Sequence, residues 1–371
     1  MPGLNLLIKP ASSLCNLRCG YCFYADVAEN RAVPCYGKMS LATLEATVKR
    51  AFEYAEGYVS FAFQGGEPSL VGLDFYRELL ALQARYNSKG IRVLNSIQTN
   101  GTLMNEEWAT FLAQNRFLVG LSLDGTREAH DSLRVDGNGG GTYDRVIQCA
   151  EMFTRHGVEF NILCVVNRYV ARYPRRVYEA LKKYRYVQFI PCLEELSGEE
   201  RPFSLSAKRY GDFLVGVFDR YYADFMAGNY VSIRNFDNYV QMRMGLSPES
   251  CAMMGHCSCN PTVEGDGSVY PCDFYVLDAH RLGTVHTDSF EEMIRGEVAA
   301  QFTVHSATTD EACLTCPYFA LCRGGCRRER EPLSDGKNRF CSAYRAFFAH
   351  ALPKITEIAQ ILLRNQHQRR G

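Results

Sequence analysis

Apolar residues gather in six short runs through the first half of the chain: Leu4–Ile8, Tyr58–Phe63, Ile91–Ile97, Phe117–Leu123, Val158–Val166 and Tyr186–Ile190. Between them, apolar positions recur at three- and four-residue spacing over Leu41–Ala55, Phe75–Tyr86, Glu106–Gln114, Tyr143–Arg155 and Tyr173–Lys183. Short β-rich runs read as strands and the longer spacing as amphipathic helices. Their alternation predicts an α/β fold with a parallel sheet covered by helices. Six such units, without clear landmarks of a doubly wound sheet, predict a partial (βα)6 TIM-like barrel. A Rossmann-type sheet is the alternative.

The polar segments support the barrel. The first run leads into Ser12, Ser13 and a cysteine-rich loop, and the second into Gln64-Gly65-Gly66-Glu67-Pro68. The third ends in Gln98-Thr99-Asn100-Gly101 and the fourth in Ser122-Leu123-Asp124-Gly125. Barrel enzymes build their sites at the C-terminal ends of strands, so these segments are expected at one mouth. Residues 194–250 read as a helical bridge, with the aromatics of Tyr210–Met226 as core. From Cys251 the composition turns to Cys, Gly and short turns. Leu352–Leu363 reads as a helix and Arg364–Gly371 as a frayed end. The expected divisions are a barrel with bridging helices over 1–235, a Cys-rich extension over 236–348, and a helix and tail over 349–371.

The totals narrow the function. The 371 residues are 47% hydrophobic with a formal net charge of zero, so a large core is available and no basic field favours nucleic acid or anionic membrane. The N-terminus lacks the pattern of a signal peptide, and no apolar stretch is long enough to span a bilayer. A cytoplasmic protein is expected, with neither membrane nor nucleic acid as partner.

Sixteen cysteines are many for such a chain. A reducing compartment disfavours disulfides, and no histidine spacing suggests a metal site, so thiolate must carry any metal chemistry. Cys15, Cys19 and Cys22 share one short loop. Three thiolates leave one iron of a [4Fe–4S] cubane without a protein ligand, and catalytic metal sites commonly keep such an open position. Zinc or a merely buried cysteine is the plain alternative. A second group spans Cys251, Cys257, Cys259, Cys272, Cys313, Cys316, Cys322, Cys326 and Cys341. With Cys259 set aside, eight thiols suffice for two fully ligated cubanes; a pair of zinc knuckles is the alternative. Asp273 follows Cys272. A desolvated carboxylate beside a negatively charged cluster becomes a better base; a turn-capping Asp is the alternative.

Cys15-x3-Cys19-x2-Cys22 followed by Phe23 resembles the signature of radical S-adenosylmethionine (SAM) enzymes. There the open iron chelates SAM, and the reduced cluster splits it to a 5′-deoxyadenosyl radical. Gly65-Gly66-Glu67-Pro68 resembles that family's second motif. The resemblance implies SAM contacts from Tyr21, Gly65, Gly66, Glu67, Ser122, Arg134 and Leu193, with Glu67 either accepting from the ammonium or bracing its loop. A solvated surface arginine is the alternative for Arg134. The later cysteines resemble the SPASM extension, which carries two auxiliary [4Fe–4S] clusters. By that resemblance Cys251, Cys257, Cys272 and Cys326 hold one, and Cys313, Cys316, Cys322 and Cys341 the other. Cys259 stays open as a substitute for Cys257.

Leu6–Ser13, Phe61–Pro68, Ser96–Thr102, Asn161–Val166 and Tyr270–Tyr275 together resemble anaerobic sulfatase-maturating enzymes, from Leu4 to about Phe348. This implies oxidation of a Cys or Ser in a C/S-x-P-x-R segment of an unfolded sulfatase to Cα-formylglycine, with Asp273 as base. It also implies a flavodoxin- or ferredoxin-type electron donor, three [4Fe–4S] clusters and SAM; a monomer is expected. The rivals are another SPASM peptide maturase, such as one forming thioether crosslinks, an iron–sulfur electron carrier, and a zinc-stabilised binding protein. The sequence leaves open the sulfatase partner, the Cys or Ser preference and the identity of the donor.

Overall fold

The structure, a computed structural model, describes residues 2–307, 310–331 and 336–368. All six expected strands form, their ends shifted by two residues at most: β1 (Leu4–Ile8), β2 (Tyr58–Phe63), β3 (Arg92–Thr99), β4 (Leu118–Ser122), β5 (Phe160–Val166) and β6 (Tyr186–Pro191). The five expected helices lie between them, at Leu41–Tyr54, Leu73–Tyr86, Glu106–Gln114, Tyr143–His156 and Pro174–Leu181. Four further strands are too short to stand out in a hydrophobic pattern: β7 (Ser232–Ile233), β8 (Thr262–Val263), β9 (Ser268–Tyr270) and β10 (Gly283–Thr284).

The chain forms two compact units. One comprises Met1–Ser122, Leu133–Phe160 and Ser258–Val304; the other comprises Leu123–Ser132, Asn161–Cys257 and His305–Gly371. In the first, β1, β2, β3 and β4 pair in parallel and in sequence order, with Leu6 opposite Phe61, Ser60 opposite Leu94 and Ser96 opposite Leu118. A doubly wound sheet reverses its strand order partway. No reversal occurs here, which removes the Rossmann alternative. On the other side of β1 lies β8, parallel to it, followed by the antiparallel β9 and β10. β1 buries Leu4, Leu6 and Ile8, and β2 buries Val59, Phe61 and Phe63. The helix Leu41–Tyr54 starts where the Ser40 side chain accepts from the Thr43 N–H, and it buries Leu44, Val48, Ala51 and Phe52.

In the second unit, β5, β6 and β7 are parallel neighbours. The bridge contains the helices Ala207–Met226 and Arg234–Arg243. Tyr210, Phe213, Phe218 and Tyr221 are buried, as expected of core aromatics. Phe218 meets Phe236 at 5.1 Å and Phe347 at 5.5 Å between ring centroids. The last helix is much longer than expected: it runs Cys341–Gln368 with Pro353 inside it. Proline favours a helix's first turn, which makes Leu352 look like a start. Burial of Phe347, Phe348 and Ala351 before Pro353, and of Ile355 and Ile358 after it, instead holds one continuous element. Arg364–Gln368, expected to fray, is helical; residues 369–371 lie outside the described residues.

A buried ion cluster stands where β1 and β8 end. Glu264 Oε2 lies 3.1 Å from Lys9 Nζ and 2.6 Å from Arg31 Nη1, all three side chains being essentially inaccessible. Arg31 also donates to the Ser12 hydroxyl and to the Pro34 carbonyl. Burial pushes the Glu264 carboxyl up, but the Lys9 and Arg31 charges outweigh it and hold the group below its usual range. Glu264→Gln strands two cations and should cost roughly 3–5 kcal/mol at neutral pH. A depressed carboxyl stabilises the fold above its unfolded pKa of about 4.3 and loses that contribution as pH falls through the folded value. Thermal unfolding of both proteins should therefore show the gap between them narrowing from pH 7 towards pH 3.

Candidate active site

The cysteine loop follows β1 directly. Two turns start it, with the Ser12 N–H donating to Lys9 O and the Leu14 N–H to Ala11 O. The Arg18 and Gly20 N–H groups then donate to Val135 O and Leu133 O, pinning the middle of the loop. A turn from Cys19 O to the Cys22 N–H closes it. Burial pushes the Cys15 thiol up to about 11, and the charges of Glu67 and Cys22 push the same way. Cys15 and Cys22 are thus electrostatic neighbours, held in a pocket where a thiolate gains from a cationic metal.

The glycine segment after β2 shapes this loop. Gly65 and Gly66 both have positive φ, 86° and 52°. A Cβ on Gly66 would lie 2.1 Å from Leu14 O, and one on Gly65 would lie 2.6 Å from the Lys9 side chain. The first glycine lets Lys9 pass; the second lets the cysteine loop approach so that the Glu67 N–H donates to Leu14 O at 2.8 Å. The Glu67 side chain makes bracing contacts. It is buried, and Oε1 accepts from the Ser69 N–H, the Ser69 hydroxyl and the Thr99 hydroxyl. Oε2 accepts from the Asn100 N–H at 2.8 Å. Burial raises this carboxyl and these donors oppose the rise. The carboxylate ties the end of β2 to the end of β3.

The remaining expected contacts are distributed as follows. Ser122, at the end of β4, accepts from the Gln98 side chain at 2.9 Å. Arg134 is buried, not a solvated surface residue, and its guanidinium lies 5.4 Å over the Tyr21 ring. Leu193 is half-buried just past β6, in the second unit, whereas the other expected SAM contacts are in the first.

Asp273 does not cap its turn. It sits in the first unit after β9, where its Oδ2 accepts from the Tyr24 hydroxyl and from the Gln64 side chain, each at 2.7 Å. Gln64 also donates to the Tyr24 oxygen at 2.7 Å. Oδ1 is enclosed and has no hydrogen-bond partner. Burial pushes the Asp273 carboxyl up, against the positive charge of Lys9 and the two hydrogen bonds. Burial, with Asp273's charge, raises the Tyr24 phenol well above its ordinary value. Lys9 Nζ lies 5.2 Å over the Tyr24 ring. Sequence reading did not assign Lys9, Tyr24, Gln64, Arg31 or Glu264 to the site. Gln64 stands at a strand end beside the glycine motif, which was a usable signal; the others depend on tertiary approach.

None of the sixteen cysteines is in a disulfide. Cys313, Cys316, Cys322 and Cys341 gather in the second unit. Burial raises Cys322 to about 11, and the charges of Cys341, Cys313 and Cys316 add to the rise. Cys251, Cys257 and Cys326 gather separately in the same unit: burial lifts Cys326 to about 12, helped by Glu329 and then by Cys251 and Cys257. Cys259 is raised to about 11 by burial alone and feels no other thiol. Cys272 belongs to the first unit. Among the described residues no three His, Cys, Asp or Glu side chains converge to hold a single metal ion. The influences resolved between side chains within each of these two groups are mainly those of thiols on one another, the chemistry an iron–sulfur cluster uses.

Residues 10–186 match the Radical SAM superfamily, and residues 251–317 match SPASM, an iron–sulfur cluster-binding domain. Fold and site thus define a radical SAM enzyme with a SPASM extension, its cofactors SAM and [4Fe–4S] clusters. A cysteine-type anaerobic sulfatase-maturating enzyme of Clostridium novyi (strain NT) is 46% identical over 99% of this chain and 100% of its own length. A serine-type enzyme of Bacteroides thetaiotaomicron is 31% identical over 98% of this chain and 93% of its own. The solved structure of native anSMEcpe with bound AdoMet superposes with a TM-score of 0.92 at 46% identity, covering 97% of this chain and 100% of that one. The chain belongs to the anaerobic sulfatase-maturating enzymes.

Gly66→Ala places a side chain against the Leu14 carbonyl in a left-handed backbone. It should disorder the cysteine loop and remove about four irons per chain after anaerobic reconstitution, with the other irons retained. An iron assay against the unsubstituted protein checks this.

Proposed function

We propose that this enzyme oxidises one Cys or Ser in a C/S-x-P-x-R segment of an unfolded sulfatase polypeptide to Cα-formylglycine without oxygen. The carrying observation is the unpaired, enclosed Oδ1 of Asp273, in the same compact unit as Cys15, Cys19 and Cys22. Structures of anSMEcpe with AdoMet and the Cp18Cys or Kp18Cys peptide give a precedent for a bound peptide in this family.

In this reading Cys15, Cys19 and Cys22 hold the SAM-binding cluster. Cys251, Cys257, Cys272 and Cys326 hold one auxiliary cluster; the mutual fields of Cys251, Cys257 and Cys326, which Cys259 does not share, support Cys257 as the ligand. Cys313, Cys316, Cys322 and Cys341 hold the other. Tyr21, Gly65, Gly66, Ser122, Arg134 and Leu193 contact SAM, and Glu67 acts by bracing. Bound SAM and clusters supply the one-electron chemistry: removal of a hydrogen atom from the target Cβ and uptake of the remaining electron.

The chain's own residues manage the proton. Tyr24 and Gln64 occupy Oδ2 of Asp273 and leave Oδ1 as the acceptor for the thiol or hydroxyl proton of the substrate. Burial of Asp273 raises its basicity towards that of its donor. Loss of one hydrogen atom, one proton and one electron turns the Cys side chain into a thioaldehyde, which water hydrolyses, and a Ser side chain directly into the aldehyde. A flavodoxin- or ferredoxin-type protein in the cytoplasm supplies reducing electrons to the monomeric enzyme. No helix of the described residues is long and apolar enough to cross a membrane.

The direct test is anaerobic incubation with SAM, reductant and a C-x-P-x-R peptide, followed by mass spectrometry. An aldehyde at the target position supports the reading; a crosslinked or unchanged peptide overturns it. Asp273→Asn nearly preserves shape but cannot take a proton. Formylglycine should fall by roughly 10²-fold or more while 5′-deoxyadenosine is still released, both quantified in one reaction. Wild-type formylglycine yield would exclude Asp273 as the base. Cys15→Ala, Cys19→Ala and Cys22→Ala should each abolish 5′-deoxyadenosine formation with the auxiliary irons retained.

A further inference from the structure

The described parts of the segment between Cys322 and Cys341, residues 322–331 and 336–341, serve both C-terminal cysteine sets, because Cys322 and Cys341 belong to one and Cys326, between them, to the other. The loop contains three consecutive residues in the left-handed region, Arg323, Gly324 and Gly325, at φ of 48°, 82° and 71°. The two glycines adopt it freely, Arg323 does so at a cost, and a path this flexible is specified only where its surroundings hold it. One side chain does. Asn338 is buried, and its amide nitrogen donates to Gly324 O at 3.2 Å and to Glu329 Oε2 at 3.0 Å. Its amide oxygen accepts from the Phe340 N–H at 2.8 Å, and its own carbonyl accepts from the Cys341 N–H at 2.8 Å. Opposite, the Glu329 carbonyl accepts from the Arg339 N–H at 3.0 Å, and the Glu329 N–H donates to Cys326 O at 3.1 Å. Gly325 donates to Cys322 O at 3.1 Å, and a Cβ on it would lie 2.3 Å from the Asn338 amide nitrogen.

Both side-chain polar atoms of Asn338, and its carbonyl, are thus spent on the backbone or side chains of the segments that carry Cys322, Cys326 and Cys341. Only a neutral amide fits, since one end must donate to an acceptor pair and the other must accept from an N–H. We propose that Asn338 is a positioning residue that fixes the register between the two auxiliary cluster sites, with Glu329 as its partner and Gly325 as the opening that admits it. The proposal rests on the reading that these cysteines hold auxiliary clusters. It assigns Asn338 no contact with substrate or SAM. Its effect reaches the reaction through the spacing of the two iron sites, on which electron passage between them depends.

The test uses full-length enzyme reconstituted anaerobically, read by iron content and by the electron paramagnetic resonance of the dithionite-reduced protein. Wild type should hold about twelve irons, three cubanes. Asn338→Asp presents a carboxylate to Glu329 and to Gly324 O, and should lose up to eight irons or alter the resonance of the auxiliary clusters. Gly325→Ala reaches the same amide from the other side and should give the same signature. The SAM-cluster resonance and 5′-deoxyadenosine release should persist in both. Asn338→Asp with Glu329→Gln restores a donor–acceptor pair and should recover part of the lost iron, a rescue that general destabilisation would not give. Wild type with about twelve irons, and Asn338→Asp with the same iron and unchanged resonance, overturns the clamp alone. Loss in Asn338→Asp that Glu329→Gln does not relieve also overturns it. Wild type with only about four irons overturns the auxiliary-cluster reading and the clamp with it.

Discussion

The site depends on one close approach: the backbone of Gly66 and Glu67 against the carbonyl of Leu14. A 2.8 Å hydrogen bond from the Glu67 N–H fixes it, and the absence of a Cβ at Gly66 permits it. Leu14 immediately precedes Cys15, so this contact decides where the first thiol stands. The Glu67 side chain extends the same constraint to the end of β3 by accepting from Thr99 and Asn100. Asn100 in turn lies with its amide nitrogen 3.9 Å from the Cys15 sulfur. Three consecutive strand ends are thus referred to one residue, Glu67, through its N–H and its carboxylate, and the cysteine loop inherits the rigidity of the sheet.

Beside that frame lies a run of buried charge: Arg31, Glu264, Lys9 and then, across the Tyr24 ring, Asp273. Two cations and two acids leave the group near neutrality, which is how four ionisable side chains survive in a poorly solvated place. Gly65 belongs to this arrangement as well, since its missing side chain is the channel through which Lys9 reaches Glu264. The glycine pair therefore serves two neighbours, the cysteine loop through one residue and the ion cluster through the other.

Much of this was legible before any coordinates. The strands of the sheet announced themselves because each is a short apolar run closed by glycine or a polar turn, and the cysteine spacing was specific enough to name its chemistry. What escaped has identifiable causes. β7 to β10 are two or three residues long and carry no periodicity. The last helix was read only from Leu352 to Leu363; Pro353 makes a local start plausible there, and packing of Phe347 and Phe348 overrides it. Tyr24 and Lys9 looked unremarkable because their value comes from partners more than two hundred residues away, Asp273 and Glu264. Glu67 was legible as either a SAM contact or a brace, and its four donors show the bracing contacts.

The helix Cys341–Gln368 opens on a thiol and buries Phe347, Phe348, Ala351, Ile355 and Ile358 along its length. If Cys341 is the cluster ligand proposed above, its sulfur opens a helix already anchored by aromatic and aliphatic packing. In small zinc domains, metal capture and chain collapse are one event. On the proposed assignment, a core of this size would set the thiol ahead of iron, and cluster insertion would resemble filling a finished socket. Chelation would then empty the socket without dismantling the wall that holds it, and the protein could be refilled after oxidative loss of iron without refolding from the start.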